Sequence, residues 1–281
     1  MKKIVRALCY PKAHLRLSAL EVTFQNKVVV ITGASRGIGA AMARLLMPYK
    51  VHFIFLARTE EDLDALAEEV HREGSKADCY TIDFRNAEAL AELMFRLKTR
   101  YPRVDYLFAN AGKSICRSLS ASQDRLHDFD RTMAVNYRSM VSLVQTLLPA
   151  LMASKGRLIY TSSVSLLYPP APCWAAYHAS KGAADLWLRT ARQEWWASGV
   201  RIRIGYMPLV HTLMADVNPR YVHWMGYSAD EAAALLVRLA MGRRFRYIPW
   251  WARISAPLAR LASPLVNWGY RYSLFFKAKS R

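Results

Sequence analysis

Six short runs of β-branched, aromatic and aliphatic residues recur along the chain: KVVVITG at 27–33, VHFIFLAR at 51–58, ADCYTID at 77–83, VDYLFANAG at 104–112, GRLIYTSS at 156–163 and VRIRIGYMP at 200–208. Each is too short for a buried helix and more continuous than alternating, so they predict strands buried on both faces. Segments 38–47, 60–73, 87–99, 122–153 and 175–198 instead space their apolar residues three and four apart, the period of a helix with one face in a core. A last helix and strand are expected over 229–248. Alternating strand and helix require right-handed crossovers between parallel strands. The pattern therefore predicts α/β architecture: a single doubly wound parallel sheet with helices on both faces and its ligand at the strands' carboxyl ends.

The 281 residues are 53% hydrophobic, enough for one large core, which excludes a disordered chain. Cys9, Cys79, Cys116 and Cys173 lie far apart, with no CxxC pair and no His/Cys cluster at ligand spacing. Neither a disulfide framework nor a metal site is expected, and a reducing cytoplasm fits. The net charge of +19 changes the picture only at the ends, because residues 1–25 carry five Lys/Arg against Glu21 alone and residues 232–281 carry ten with no acid. The expected layout is a basic extension over 1–24, the α/β domain over 25–248 and a C-terminal extension over 249–281. No apolar run reaches the ~20 residues of a membrane-spanning helix, and MKKIVRALCYPKAHLR breaks up too soon for a signal peptide. Nucleic acid is disfavoured as a partner, since no recognition motif is present and the central domain lacks a basic stripe.

After the first strand comes TGASRGIG, residues 32–39. Glycine suits a tight turn, a close backbone approach to a pyrophosphate and a helix–strand contact, roles that fall to Gly33, Gly37 and Gly39. The helix that follows offers its N-terminal amides to phosphate. A Rossmann-type nucleotide site is the expectation. An NAD site usually carries an acid at the end of the second strand, but this chain has Ala57 and then Arg58. Arg58 with Arg36 suits a 2′-phosphate through charge-assisted bonds, so NADP(H) is the expected cofactor; the alternative is that both arginines are merely solvated.

WAAYHASKGAADLW, residues 174–187, sets Tyr177 and Lys181 four apart on one helical face. There the ammonium is expected to favour the phenolate and lower the phenol's pKa from about 10, making Tyr177 a proton donor near neutral pH.

In order, the motifs are Thr32 to Gly39, Asn110-Ala111-Gly112 after the fourth strand, Asn136 in AVNY, Ser163 in YTSSVS, and Tyr177 to Lys181. The set resembles the classical short-chain dehydrogenase/reductase family over about residues 25–240. By that resemblance Tyr177 is the general acid/base, Lys181 lowers its pKa and holds the nicotinamide ribose, and Ser163 binds the substrate's carbonyl oxygen. Asn136 would support a water linking Lys181 to solvent, or else satisfies buried backbone groups. Ser162 is the alternative to Ser163. Hydride arriving at a carbonyl carbon builds charge on oxygen, which a phenol and a hydroxyl stabilise and protonate.

The resemblance assigns further cofactor contacts to Ser35 and Ile38 in the glycine turn and to Asp83 and Phe84 after the third strand, where Asp83 either meets adenine or caps the next helix. Asn110, Ala111 and Gly112 belong to the same site, as do Pro208, Val210 and Thr212 after the sixth strand. One departure lies there: MPLVHTLM places Leu209 where the family usually has glycine, so the backbone at the nicotinamide is expected to run differently. His178 is expected to point away from the chemistry, and Trp187, Trp195 and Trp196 to serve packing or an interface.

The segment after Pro208 and the chain's ending are similar to a branch of the family that reduces long-chain acyl derivatives, including mycobacterial ketoacyl-mycolate reductases and the reductase domains of bacterial fatty acyl reductases. In the ending, Ile254, Leu258, Leu261 and Leu265 recur at helical spacing among arginines, with Trp250, Trp251, Trp268, Tyr270 and Tyr272. A basic, aromatic amphipathic segment suits the interface of an anionic membrane. A helix pair closing the substrate cleft, or a subunit contact, is the alternative. The expected function is NADPH-dependent reduction of a keto or aldehyde group on a long-chain, lipid-like substrate, in the cytoplasm or on the cytoplasmic face of a membrane. Competing readings are a steroid, retinoid or ketosphinganine oxidoreductase and a non-catalytic nucleotide-binding scaffold. Kinship implies a homodimer or homotetramer.

Overall fold

The computed structural model describes residues 2–216 and 221–279. Two helices, α1 (Lys2–Cys9) and α2 (Leu17–Phe24), precede β1 (Val28–Thr32), α3 (Gly37–Leu46), β2 (His52–Ala57), α4 (Glu60–Arg72), β3 (Lys76–Thr81), α5 (Ala87–Arg100) and β4 (Tyr106–Ala109). Then come α6 (Leu126–Met133), α7 (Ser139–Ser154), β5 (Arg157–Ser163), α8 (Ala175–Glu194), β6 (Arg201–Met207) and the single turn α9 (Leu213–Asp216). The chain continues through α10 (Ala229–Met241), β7 (Arg246–Tyr247), α11 (Trp250–Leu261) and α12 (Ser263–Lys279).

The strands form one parallel sheet in the order β3-β2-β1-β4-β5-β6-β7. The order reverses between β1 and β4, the switch point where such a sheet leaves a crevice at its carboxyl edge. Helices α3, α4 and α10 cover one face and α5, α7 and α8 the other, so Val29 and Ile31 of β1 point into one core and Val30 into the second. Two-sided burial explains the continuous apolar runs of the strands. Register β5–β6 runs from Arg157↔Arg201 to Ser163↔Met207, which delivers Ser163 and the Pro208 segment to one rim.

Local chemistry sets the helix ends. Asn86 caps α5 by accepting from the amides of Glu88 and Ala89, so this role belongs to Asn86 and not to Asp83. Ser228 and Glu231 form a reciprocal capping box on α10. Glycine is required at the start of α3, because a Cβ at Gly39 would lie 2.1 Å from the Gly33 carbonyl oxygen, and Gly33 itself has φ +66°.

The structure corrects three expectations about element bounds. The helix expected over 122–153 is two helices joined by a π turn at Ala134–Arg138, with Asn136 in its middle. The strand expected over 104–112 ends at Ala109, because the amides of Asn110 and Ala111 leave the ladder to donate to Thr32 Oγ1, each at 2.9 Å. Within residues 1–24, α2 buries Leu20 and Phe24 in the core, with Phe24 against the Tyr106 ring at 4.7 Å between centroids.

At the other end, α11 buries Ala252 and Ala256 and packs beside the turn Val164–Leu167 that follows β5. Tyr168 bonds Ser255 at 2.6 Å and Arg260 donates to the Leu166 carbonyl at 2.9 Å. The indoles of Trp250 and Trp251 donate to the carbonyls of Leu8 and Cys9 at 2.7 and 3.0 Å, joining α11 to α1. Among the described residues no helix is long and apolar enough to cross a membrane.

Candidate active site

The carboxyl ends of β1, β4, β5 and β6 open into a cleft of about 1770 Å³. A drug-sized ligand site is usually about 300–1,000 Å³, so this one has room for a dinucleotide and a second molecule. Of the candidate residues, Gly33, Ser35, Arg36, Gly37, Ile38, Arg58, Asp83 and Phe84 line one side; Asn110, Ala111, Gly112, Ser163, Tyr177, Lys181, Pro208, Val210 and Thr212 line the rest. Gly39 and Asn136 do not reach the cleft and stand behind it. Gly39 permits the α3 contact already described.

Asn136 is buried, accepting from the Lys113 amide at 2.7 Å and donating to the Lys113 carbonyl and to Ser180 Oγ, both at 2.9 Å. Its side chain is thus committed to holding the segment after Gly112 against α8, the backbone-satisfying alternative. A π turn lets one helix carry this inward-facing amide.

Thr32 Oγ1 ties the glycine turn to Asn110-Ala111, and Thr161 Oγ1 donates to Asn110 Oδ1 at 3.2 Å, so β1, β4 and β5 present a single fixed floor. Gly33 faces the Ala111 backbone and Gly37 (φ +58°) faces Thr212, where added Cβ atoms would come within 3.1 and 3.2 Å. Despite Leu209, the chain after β6 therefore returns to the glycine turn. Val210 pairs with Tyr227 in an isolated parallel bridge that anchors this return.

Tyr177, one turn of α8 before Lys181, faces the cleft and hydrogen-bonds the Ser163 hydroxyl. Ser162 Oγ is buried without a hydrogen-bond partner, so Ser163 is the serine joined to the phenol. Lys181 Nζ donates to the Thr161 carbonyl at 2.8 Å and lies 4.7 Å from the centre of the Tyr160 ring.

The electrostatics correct the expected lysine effect. Burial pushes the Lys181 ammonium down to about 8, and burial also pushes the Tyr177 phenol up, against a lowering by the Ser163 bond. Desolvation outweighs the i to i+4 charge effect, and the phenol is protonated at neutral pH.

At the other end of the cleft the field is positive. Arg58 follows β2 at the rim, and Arg36 holds Asp62 through Nε at 2.5 Å. The Arg85 guanidinium holds the Asp83 carboxyl below the usual carboxylate range. Burial and the neighbouring Arg58, Arg85 and Arg131 push the Lys113 ammonium down, which is how a group behaves in a cluster of like charge. Among the described residues no group of His, Cys, Asp and Glu is arranged to hold a metal ion.

Sequence reasoning missed several lining residues. Trp174 meets the Tyr177 ring at 5.8 Å and stacks on Tyr221 at 6.2 Å, and Tyr221 packs on Trp224 at 5.3 Å, forming an aromatic wall. Leu213 and Met214 add apolar rim, and Leu274 of α12 reaches the same cleft. Ser165 and His178 also line it, and His178 points to Ser165, correcting the expectation that it faces away.

Residues 27–221 match the short chain dehydrogenase family. The chain belongs to that family. It is an oxidoreductase whose sheet order and glycine turn are those of its relatives. A fatty acyl-CoA reductase of Acinetobacter baylyi is 36% identical over 240 residues, 85% of this chain and 79% of the relative. A fatty acyl-CoA reductase of Mycobacterium tuberculosis is 33% identical over 248 residues, 88% and 83% of the two chains. Among solved structures, a metagenomic short-chain oxidoreductase in complex with NADP superposes with TM-score 0.68 at 26% identity, over 80% of this chain and 97% of that one. A 3-oxoacyl (acyl-carrier-protein) reductase from Agrobacterium tumefaciens with NADP bound gives TM-score 0.69 at 27% identity, over 80% and 91%.

Proposed function

We propose that this short-chain dehydrogenase is an NADPH-dependent reductase of a keto or aldehyde group on a long-chain acyl substrate, with Tyr177 as the proton donor. The observation that carries the reading is the bonded pair Ser163–Tyr177 at the cleft wall, one helical turn from Lys181 and in the same cleft as the glycine turn.

The chain fits the dinucleotide. Gly33 and Gly37 leave open the space that Cβ atoms would take, and Arg58, Arg85, Arg36 and Lys113 gather positive charge where a 2′-phosphate would be held. When bound, the nicotinamide supplies the hydride. Tyr177 and Ser163 donate hydrogen bonds to the carbonyl oxygen as charge builds on it, and the phenol, held protonated by burial, gives up its proton. Lys181 holds the ribose, and Asn136 keeps the segment around Lys113 in place.

Long-chain substrates are supported by the aromatic wall, the apolar rim and the kinship with fatty acyl-CoA reductases. An anionic membrane surface is the proposed docking partner. Exposed Ile4, Leu8, Trp250, Ile254 and Leu258 lie on α1 and α11, which the two indole bonds join, and the exposed Leu265 and Trp268 continue along α12. Basic charge surrounds them, with no acid after residue 231. Two copies facing each other through this surface would repel, whereas anionic lipid attracts it. A homodimer or homotetramer would use another face, and equilibrium sedimentation tests it.

The deciding experiment is NADPH oxidation with a fatty aldehyde, a long-chain acyl-CoA and a 3-ketoacyl thioester, in wild type and Tyr177→Phe. The expected result is turnover of at least one long-chain carbonyl, lost by about 10²–10⁴-fold in the variant. Equal turnover in both proteins overturns the role of Tyr177, and no turnover with any carbonyl overturns the reductase reading. Co-sedimentation with anionic vesicles is expected to weaken with salt and on removal of residues 250–281; binding insensitive to both overturns membrane docking.

A further inference from the structure

The cleft holds a second hydrogen-bonded chain that the chemistry above does not use. Ser163 Oγ lies 2.8 Å from Ser165 Oγ and accepts the Ser165 amide at 3.2 Å. Ser165 Oγ in turn lies 3.1 Å from His178 Nε2. The elements fix this geometry. Ser163 ends β5 and caps the following turn, so Ser165 is folded back over it, while His178 comes from α8, the next residue after Tyr177.

Each hydroxyl has one proton, so the row can run in two directions. In one, His178 Nε2–H donates to Ser165, Ser165 donates to Ser163, and the Ser163 proton is left to point at a substrate oxygen. In the other, Ser163 donates to Ser165 and Ser165 to an unprotonated Nε2, so Ser163 turns only lone pairs towards the site. Only the first direction stabilises a developing oxyanion. It also makes Ser163 accept two bonds from Ser165, which polarises its own O–H and strengthens its donation.

We propose that His178, acting through Ser165, is a positioning residue for carbonyl reduction, its Nε2–H tautomer fixing the direction of the hydroxyl row so that Ser163 donates to the substrate oxygen. The proposal rests on the reductase reading and adds a specific device to it. Burial pushes the His178 imidazole below its usual range, so the ring is neutral at pH 7 and its tautomer governs the row.

Two measurements test it. Imidazole nitrogen NMR of the intact protein at pH 7.5 reads the tautomer without any substrate; Nε2–H is expected, and Nδ1–H overturns the proposal. Steady-state reduction of a fatty aldehyde is then compared in wild type, His178→Phe, His178→Gln, Ser165→Ala and the Ser165→Ala/His178→Phe pair, with melting temperature and NADPH affinity as controls for folding and cofactor binding. Loss of a whole oxyanion donor costs about 10²–10³-fold in kcat, so misdirecting one is expected to cost about tenfold or more. That loss should fall on kcat with KM within about twofold, should be largely rescued by the amide N–H of His178→Gln, and should be no deeper in the double variant than in Ser165→Ala. An unchanged kcat in His178→Phe, failure of Gln to rescue, or multiplying losses in the pair overturns the proposal. An Nε2–H tautomer in a wild-type protein that turns over no carbonyl supports the directed row and counts against the reductase reading alone.

Discussion

The Lys181 ammonium lies 4.7 Å from the centre of the Tyr160 ring, and burial, not its neighbour Tyr177, decides its charge. A cation beneath the cleft floor costs stability, because the folded chain binds this proton less tightly than the unfolded chain does. Its folded pKa, about 8, is below its usual 10.5, so that cost is fully present below pH 8 and disappears as pH rises through 10.5. Lys181→Met is therefore expected to raise the melting temperature at pH 7 by a few degrees while abolishing turnover. The advantage should shrink between pH 8 and 10.5 in thermal scans; a gain that grows with pH would count against the buried charge.

Arg58 stands at the rim where the second strand ends. Arg58→Ala is expected to raise KM for NADPH by about tenfold or more, the worth of a charge-assisted bond, with KM for NADH nearly unchanged. Equal losses with both cofactors would place the guanidinium elsewhere than at a 2′-phosphate.

Gly39→Ala probes the packing behind the cleft. Its Cβ would lie 2.1 Å from the Gly33 carbonyl, a backbone atom that no side-chain rotation relieves. A loss of about 1–3 kcal/mol is expected in urea unfolding, together with weaker dinucleotide binding, because α3 must lift from the glycine turn. Unaltered unfolding would show that the turn gives way freely.

Trp250→Phe and Trp251→Phe remove only the indole donors to Leu8 and Cys9. Each is expected to cost about 1 kcal/mol. Hydrogen exchange should rise in α1 and α11 together and not in β1 or β4. Faster exchange confined to α11 would mean that the helices are held independently.

The sheet was legible in the sequence because parallel strands covered on both sides must be apolar throughout, and Val28–Thr32 and His52–Ala57 are nearly so. The site's order was legible too, since the glycine turn, Asn110, Ser163 and Tyr177 each follow a strand or open a helix at a fixed place. What escaped depends on distant partners. The break at Ala134–Arg138 places an Asn136 amide that bonds residues 23 and 44 positions away, which local periodicity does not encode. The Tyr177–Lys181 spacing suggested a lowered phenol because spacing reports proximity, while desolvation is set by everything packed around the pair. His178 looked idle for a similar reason: its partner, Ser165, lies 13 residues upstream on another element.

The two indole bonds span 242 residues of sequence and bring opposite ends of the polypeptide to one seam. A pulling force applied between the termini would load this seam before any strand of the sheet. The seam would then act as a mechanical fuse, parting α1 from α11 at low force while the catalytic floor keeps its shape.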